Sequence, residues 1–188
     1  MERKEILIDE ETLQERIRQL GKQISHDYEG QDLTMICILK GAMFFFTDLA
    51  KNIDIDTEIE VMRLSSYIGE NSSGKVDIKI DLDKPIEGKN ILIVEDIVDS
   101  GKSMDFLVKH LLSKKPKSVK ICTLLDKKER REVDINVDYV GFSIPNHFVI
   151  GYGLDLDEKY RNLREINCFT EKDIEEDKKN LKKQLKNH

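Results

Sequence analysis

Two stretches of this chain are apolar almost without interruption: Leu33 to Leu39 (LTMICIL) and Ile91 to Val94 (ILIV, preceded by Asn90). A strand that alternates apolar and polar residues buries one face, whereas one that does not alternate buries both. Two such strands demand a sheet covered by helices on each side, and parallel sheets meet that demand because their crossovers place helices on the faces. The segments between them agree. Leu13, Ile17, Leu20 and Ile24 recur at helical spacing and predict an amphipathic helix near 10 to 27. Ala42 to Asn52 reads as a helix after Lys40-Gly41, and Glu58 to Leu64 as a strand. Ser65 to Lys75 (SSYIGENSSGK) is a polar loop, and Val76 to Ile80 alternates as a strand pairing back would. Beyond Asn90–Val94, a helix is expected from about Lys102 to Ser113, ended by Pro116. Further strands are expected at Ser118 to Leu125, Tyr139 to Phe142 and Phe148 to Gly151. The fold class is α/β, a mostly parallel sheet flanked by helices.

A length of 188 residues suits one domain, expected over 1 to 170, with a charged and helical tail over 171 to 188. The net charge of -6 argues against a general grip on nucleic acid. Cys37, Cys122 and Cys168 each lie in an apolar run and form no CxxC pair, so buried reduced thiols are expected. The N-terminal MERKEILIDEET has no apolar signal region, and no apolar run is long enough to cross a bilayer. The expectation is a cytoplasmic protein without a membrane or nucleic-acid partner.

The chemistry concentrates in Ile91 to Ser103 (ILIVEDIVDSGKS). A buried parallel strand delivers its C-terminal end to the crevice where such folds bind ligands. Glu95 and Asp96 stand there, suited to accept hydrogen bonds from vicinal sugar hydroxyls or to hold Mg2+ through water. Asp99, Ser100, Gly101, Lys102 and Ser103 then open a helix whose N-terminal amides and dipole suit a phosphate. The bland alternative is a capped helix start, with Asp99 as N-cap, but the full combination in one run disfavours it. The segment is neither a GxGxxG fingerprint nor a Walker A loop.

EDIVDSGKS resembles the signature of the type I phosphoribosyltransferases, most closely the hypoxanthine-guanine branch, and the resemblance covers nearly all of residues 1 to 170. Supporting matches follow in order: Leu39-Lys40-Gly41, Ser66-Tyr67, Leu124 to Lys127, Phe148 to Tyr152, Leu154-Asp155 and Tyr160-Arg161. After Asn162-Leu163, REINCFT departs from the Pro-Tyr-Ile-Gly pattern of many bacterial members. The resemblance implies a five-stranded parallel core sheet with a small hood built from both chain ends. It implies transfer of a phosphoribosyl group from 5-phosphoribosyl 1-diphosphate to hypoxanthine or guanine, with Mg2+ as cofactor and a homodimer or homotetramer as assembly.

The resemblance also implies residue roles. Glu95 and Asp96 would hold the ribose hydroxyls and metal-bound water, and Asp99 would take the proton from purine N7. Ser100, Gly101, Lys102 and Ser103 would form the 5′-phosphate loop, with no role for the Lys102 side chain. Lys40, Gly41 and Arg161 would meet the diphosphate, after a cis peptide between Leu39 and Lys40. Lys127 would donate to the oxygen at C6 of the base, Phe148 would stack on it, Val149 would read its edge through the backbone, and Asp155 would help hold Mg2+. Ser66 and Tyr67 would belong to a flap that closes over the site. Alone, a lysine after a strand is ordinarily solvated and a Phe in HFVIG ordinarily core. A regulator on the same fold that binds RNA would need a basic face, which the charge balance opposes. Transferases for orotate, adenine or uracil fit the FVIGYGLD run less well.

Overall fold

The computed structural model describes residues 5–66 and 76–169. Tyr67, most of the polar loop and the charged tail fall outside them, as does the side chain of Ser66. The main sheet has six strands in the order β4-β3-β2-β5-β6-β7. These are β2 (Leu33–Leu39), β3 (Thr57–Ser66), β4 (Val76–Ile80), β5 (Asn90–Val98), β6 (Ser118–Asp126) and β7 (Tyr139–Ser143). Five run parallel, and β4 pairs antiparallel to the end of β3 at the edge.

The sequence dictates which strand sits where. β2 has neighbours on both sides and six of its seven residues are buried. Its side chains divide with period two. Met35 and Cys37, with Leu92 and Val94 of β5, face the core formed with α1 (Glu10–Asp27) and α2 (Met43–Lys51). Ile36 and Ile38, with Ile91 and Ile93, face the core under α3 (Lys102–Leu112). α1 starts where Asp9 Oδ1 accepts from Thr12 N at 2.8 Å, and Leu13, Ile17, Leu20 and Ile24 form its buried stripe.

Two strands run past the expected ends. β3 continues to Ser66 because β4 pairs with its last residues, Ser65 to Asp77 and Ser66 to Val76. β5 continues to Val98, so Glu95 and Asp96 lie within the strand. β6 pairs with it through Val98 to Asp126, whereas β2 leaves it after Cys37 to Val94. A crevice opens at that divergence.

A second sheet, β1 (Ile6–Ile8), β9 (Ile166–Phe169) and β8 (Phe148–Ile150), is antiparallel and joins the two ends of the described chain. The segment REINCFT supplies β9. Cys37, Cys122 and Cys168 are buried, and burial pushes the Cys37 thiol up to about 12. Among the described residues no helix is long and apolar enough to cross a membrane.

Candidate functional site

The crevice between β2 and β5 holds a cleft of about 480 Å3. Glu95 and Asp96 form its floor, Lys40 and Gly41 one wall, and Asp155 and Arg161 the other. The Leu39–Lys40 peptide is cis, as the resemblance implies. Gly41 is a steric necessity: a Cβ there would lie 1.7 Å from Asp96 Oδ2. From the other side Gly153, at φ 102°, packs on the Gly41 carbonyl, and a Cβ on Gly153 would stand 2.0 Å from it. The loop after β2 is thus clamped between the β5 carboxylates and the turn after β8.

Glu95 and Asp96 crowd one another. Asp96 N–H donates to Glu95 Oε1 at 3.1 Å, and Ile97 N–H to Asp96 Oδ1 at 2.7 Å. Burial, then the neighbouring Asp96 charge, push the Glu95 carboxyl well above its usual range, and burial also raises Asp96. Such a pair is stabilised by a cation or by hydroxyl donors.

A smaller hollow of about 170 Å3 adjoins the cleft, sharing Glu95, Asp96 and Ser103, and is lined further by Asp99, Ser100 and Gly101. α3 begins at Gly101, whose φ of 85° only glycine adopts freely, and no side chain caps the helix. Lys102 N–H leans on Ser100 Oγ at 3.4 Å, and this helix end offers its remaining first-turn amides to an anion. The N-cap alternative for Asp99 is not what the structure shows. Asp99 Oδ1 instead lies 3.1 Å from Arg130 Nε as an ion pair, yet this buried oxygen has no aligned hydrogen-bond donor. An acceptor position on Asp99 stays unfilled. The Lys102 side chain, left unassigned by the sequence, pairs with Glu132.

Lys127 departs from the ordinary solvated lysine. It is only 6 % exposed, its N–H donates to Val98 O at 3.0 Å, and burial pushes its ammonium down. Phe148 departs from the ordinary core phenylalanine: it is 38 % exposed at the start of β8, while Val149 beside it is buried. Neither Lys127 nor Phe148 is among the residues that line the two hollows. Asp155 lines the cleft but is engaged, with Oδ1 2.9 Å from Arg161 Nη2 and Oδ2 accepting from Glu158 N–H at 2.8 Å. Among the described residues no three carboxylate, His or Cys side chains close into a metal cage.

The phosphoribosyl transferase domain model matches residues 4–157. A hypoxanthine-guanine phosphoribosyltransferase of Mycobacterium tuberculosis is 49% identical over 173 residues, 88% of this chain and 86% of that protein. This chain belongs to the hypoxanthine-guanine phosphoribosyltransferase family. The bifunctional protein TilS/HprT of Listeria monocytogenes is also 49% identical, over 87% of this chain but only 26% of its own length. A hypoxanthine phosphoribosyltransferase structure from Staphylococcus aureus superposes with a TM-score of 0.86 at 45% identity, covering 90% of this chain and 92% of that one.

Within this phosphoribosyltransferase site three side chains had no place in the sequence reading. Glu158 bridges Lys40 and Arg161 in the cleft. Arg130 reaches Asp99. Ser65 lines the cleft with a buried, unpartnered Oγ. Glu158 and Arg130 sit in charged runs, DLDEKYR and DKKERR, where no spacing rule singles out one member. Ser65 was hidden because its strand was expected to end one residue earlier.

Proposed function

We propose that the protein transfers the phosphoribosyl group of 5-phosphoribosyl 1-diphosphate to hypoxanthine or guanine, yielding IMP or GMP and diphosphate in purine salvage. The observation that carries this is an order of sites. The open N-terminus of α3, the Glu95–Asp96 pair and the Lys40/Arg161 cations follow one another across two adjoining hollows. That sequence matches 5′-phosphate, ribose diol and diphosphate.

In this reading Glu95 and Asp96 accept from the ribose hydroxyls, and the amides of Gly101 to Ser103 take the 5′-phosphate. Purine N9 bonds to the anomeric carbon as its bond to diphosphate oxygen breaks, and Lys40 and Arg161 stabilise the charge that departs. Lys127 donates to the C6 oxygen, Phe148 stacks on the ring, and the Val149 backbone meets the base edge. Asp99, which lines the smaller hollow, receives the N7 proton on its carboxylate.

The donor set suits Mg2+, a hard cation that binds through one or two carboxylates, waters and substrate oxygens rather than a protein cage. Glu95, Asp96 and Asp155 would hold it. When bound it supplies positive charge beside the diphosphate and relieves the crowded carboxylates. The deciding assay combines protein, Mg2+ and phosphoribosyl diphosphate with each base separately. Formation of IMP and GMP is expected, and a chain forming neither overturns the reading.

The same proposal includes a homodimer or homotetramer and a cytoplasmic setting. Ile59 and Val61 support the first, since they share one face of β3 and are 56 % and 40 % exposed. Light scattering that finds a monomer contradicts it. The Cys37 and Cys122 thiols, buried and unoxidised, support a reducing compartment.

A further inference from the structure

Glu158 stands between the two cations assigned to diphosphate, and the following rests on that assignment. Its Oε2 accepts from Lys40 Nζ at 2.7 Å, and its Oε1 from Arg161 Nη2 at 3.4 Å. Lys40 and Glu158 are 118 residues apart, so the contact is tertiary and lies in the cleft itself. The backbone keeps it there. Asp157 and Glu158 have φ of 51° and 63°, a region that L residues rarely adopt, and Glu158 N–H is anchored to Asp155. Arg161 is fixed from behind, its Nη1 donating to Gly153 O at 2.7 Å. The hydrogen bond from Lys40 is also the main reason that the Glu158 carboxyl is held below its usual range.

A carboxylate with one oxygen on each of two cations makes the bridge that a diphosphate group would make. We infer that Glu158 is an internal anion that occupies Lys40 and Arg161 in the free enzyme and competes with diphosphate for them. It is a positioning residue: it lowers affinity for phosphoribosyl diphosphate and for product diphosphate alike. An interaction lost equally in ground and transition states moves KM and leaves the chemical step alone.

The sign of one substitution separates this role from a structural one. If Glu158 merely held Lys40 and Arg161 in place, its loss would weaken anion binding; if it competes, its loss strengthens binding. The test is calorimetric titration of Glu158→Gln with inorganic diphosphate plus Mg2+ and with phosphoribosyl diphosphate, beside steady-state KM values. The half-solvated pair with Lys40 and the longer one with Arg161, whose Nη2 also lies 2.9 Å from Asp155 Oδ1, are worth enough to tighten both ligands about two- to fivefold in Glu158→Gln. KM for hypoxanthine stays at the wild-type value. Glu158→Asp keeps the charge on a shorter side chain and falls between the two. Unchanged or weaker diphosphate binding in Glu158→Gln overturns the inference. Lys40→Met and Arg161→Met locate the fault: if both bind diphosphate as the wild type does, the assignment of the site itself fails. If both bind weakly and Glu158→Gln binds no tighter, only the competition by Glu158 fails.

Discussion

Gly41→Ala is the substitution that most directly tests how the cleft is built. Gly41 lies outside the left-handed region, so alanine brings no backbone strain and the whole effect is one methyl group. That methyl would stand 1.7 Å from Asp96 Oδ2 and 2.6 Å from its Cγ, where ordinary contact begins at 3.4 Å. The carboxylate must retreat by about its own C–O reach, and its hydrogen bond from Ile97 N–H at 2.7 Å is lost. One such bond is worth about 1 kcal/mol, or a fall in Tm of about 3 °C for a chain of this size. The catalytic cost is larger, because a reacting group displaced by about 1 Å can cost roughly 100-fold. The expected result is a folded protein, slightly less stable, with kcat/KM for phosphoribosyl diphosphate down about 100-fold and KM for hypoxanthine unchanged. Thermal denaturation and initial rates at saturating hypoxanthine measure both. A variant with wild-type kcat/KM, or one whose loss falls on the base, would refute the placement of Asp96 against the ribose.

Asp99→Asn should lower kcat about 100- to 10,000-fold while leaving the affinity for phosphoribosyl diphosphate intact, as fits a lost proton acceptor; an undiminished kcat removes that role. Lys127→Met should raise KM for hypoxanthine and guanine about tenfold or more, since a charged hydrogen bond to the base is lost, and an unaltered KM contradicts the base contact. Its stability effect has the opposite sign. Burial depresses the Lys127 ammonium, so the unfolded chain binds more protons between the lowered value and the ordinary 10.5, and the wild type gains stability as pH rises through that window. Lys127→Met is therefore expected to melt higher than the wild type at neutral pH, with the gap narrowing in alkali; a gap that widens there would show that burial is not the cause. Chelation of Mg2+ should abolish nucleotide formation, and turnover that persists in chelator excludes the proposed need for the ion.

The parts of the fold legible in the sequence are those where a single element declares itself. LTMICIL is too short and too uniformly apolar to read as anything but a strand buried on both faces once its length is weighed, and the Leu13–Ile24 stripe has the spacing of an amphipathic helix. What stayed hidden depends on pairing between distant segments. The last residues of β5, Glu95 to Val98, mix charge and apolar character, and they are strand because β6 runs alongside them. β1 and β9 have three and four residues, too few for any period to show, and exist through each other. The candidate site divides in the same way. Glu95, Asp96 and the Gly101 turn follow from one contiguous run, whereas Arg130 meeting Asp99 and Glu158 meeting Lys40 are tertiary events.

Those tertiary events share a logic that also bears on the acidic balance of the chain. Five of the cations at or beside the site face carboxylates. Lys40 faces Glu158, Arg161 faces Asp155 and Glu158, Arg130 faces Asp99, Arg131 faces Asp126, and Lys102 faces Glu132. A substrate with three phosphoryl groups therefore meets several cations that already face carboxylates. The pairs differ in what exchange would cost. Arg131–Asp126 is buried, with Asp126 1% exposed, and opening it would strand a charge, so it serves as framework for the loop packed on Gly101. Lys40–Glu158 is half solvated, and opening it costs little. The site thus holds a rigid pair beside the Gly101 loop and an exchangeable one at Lys40, the cation proposed to meet diphosphate.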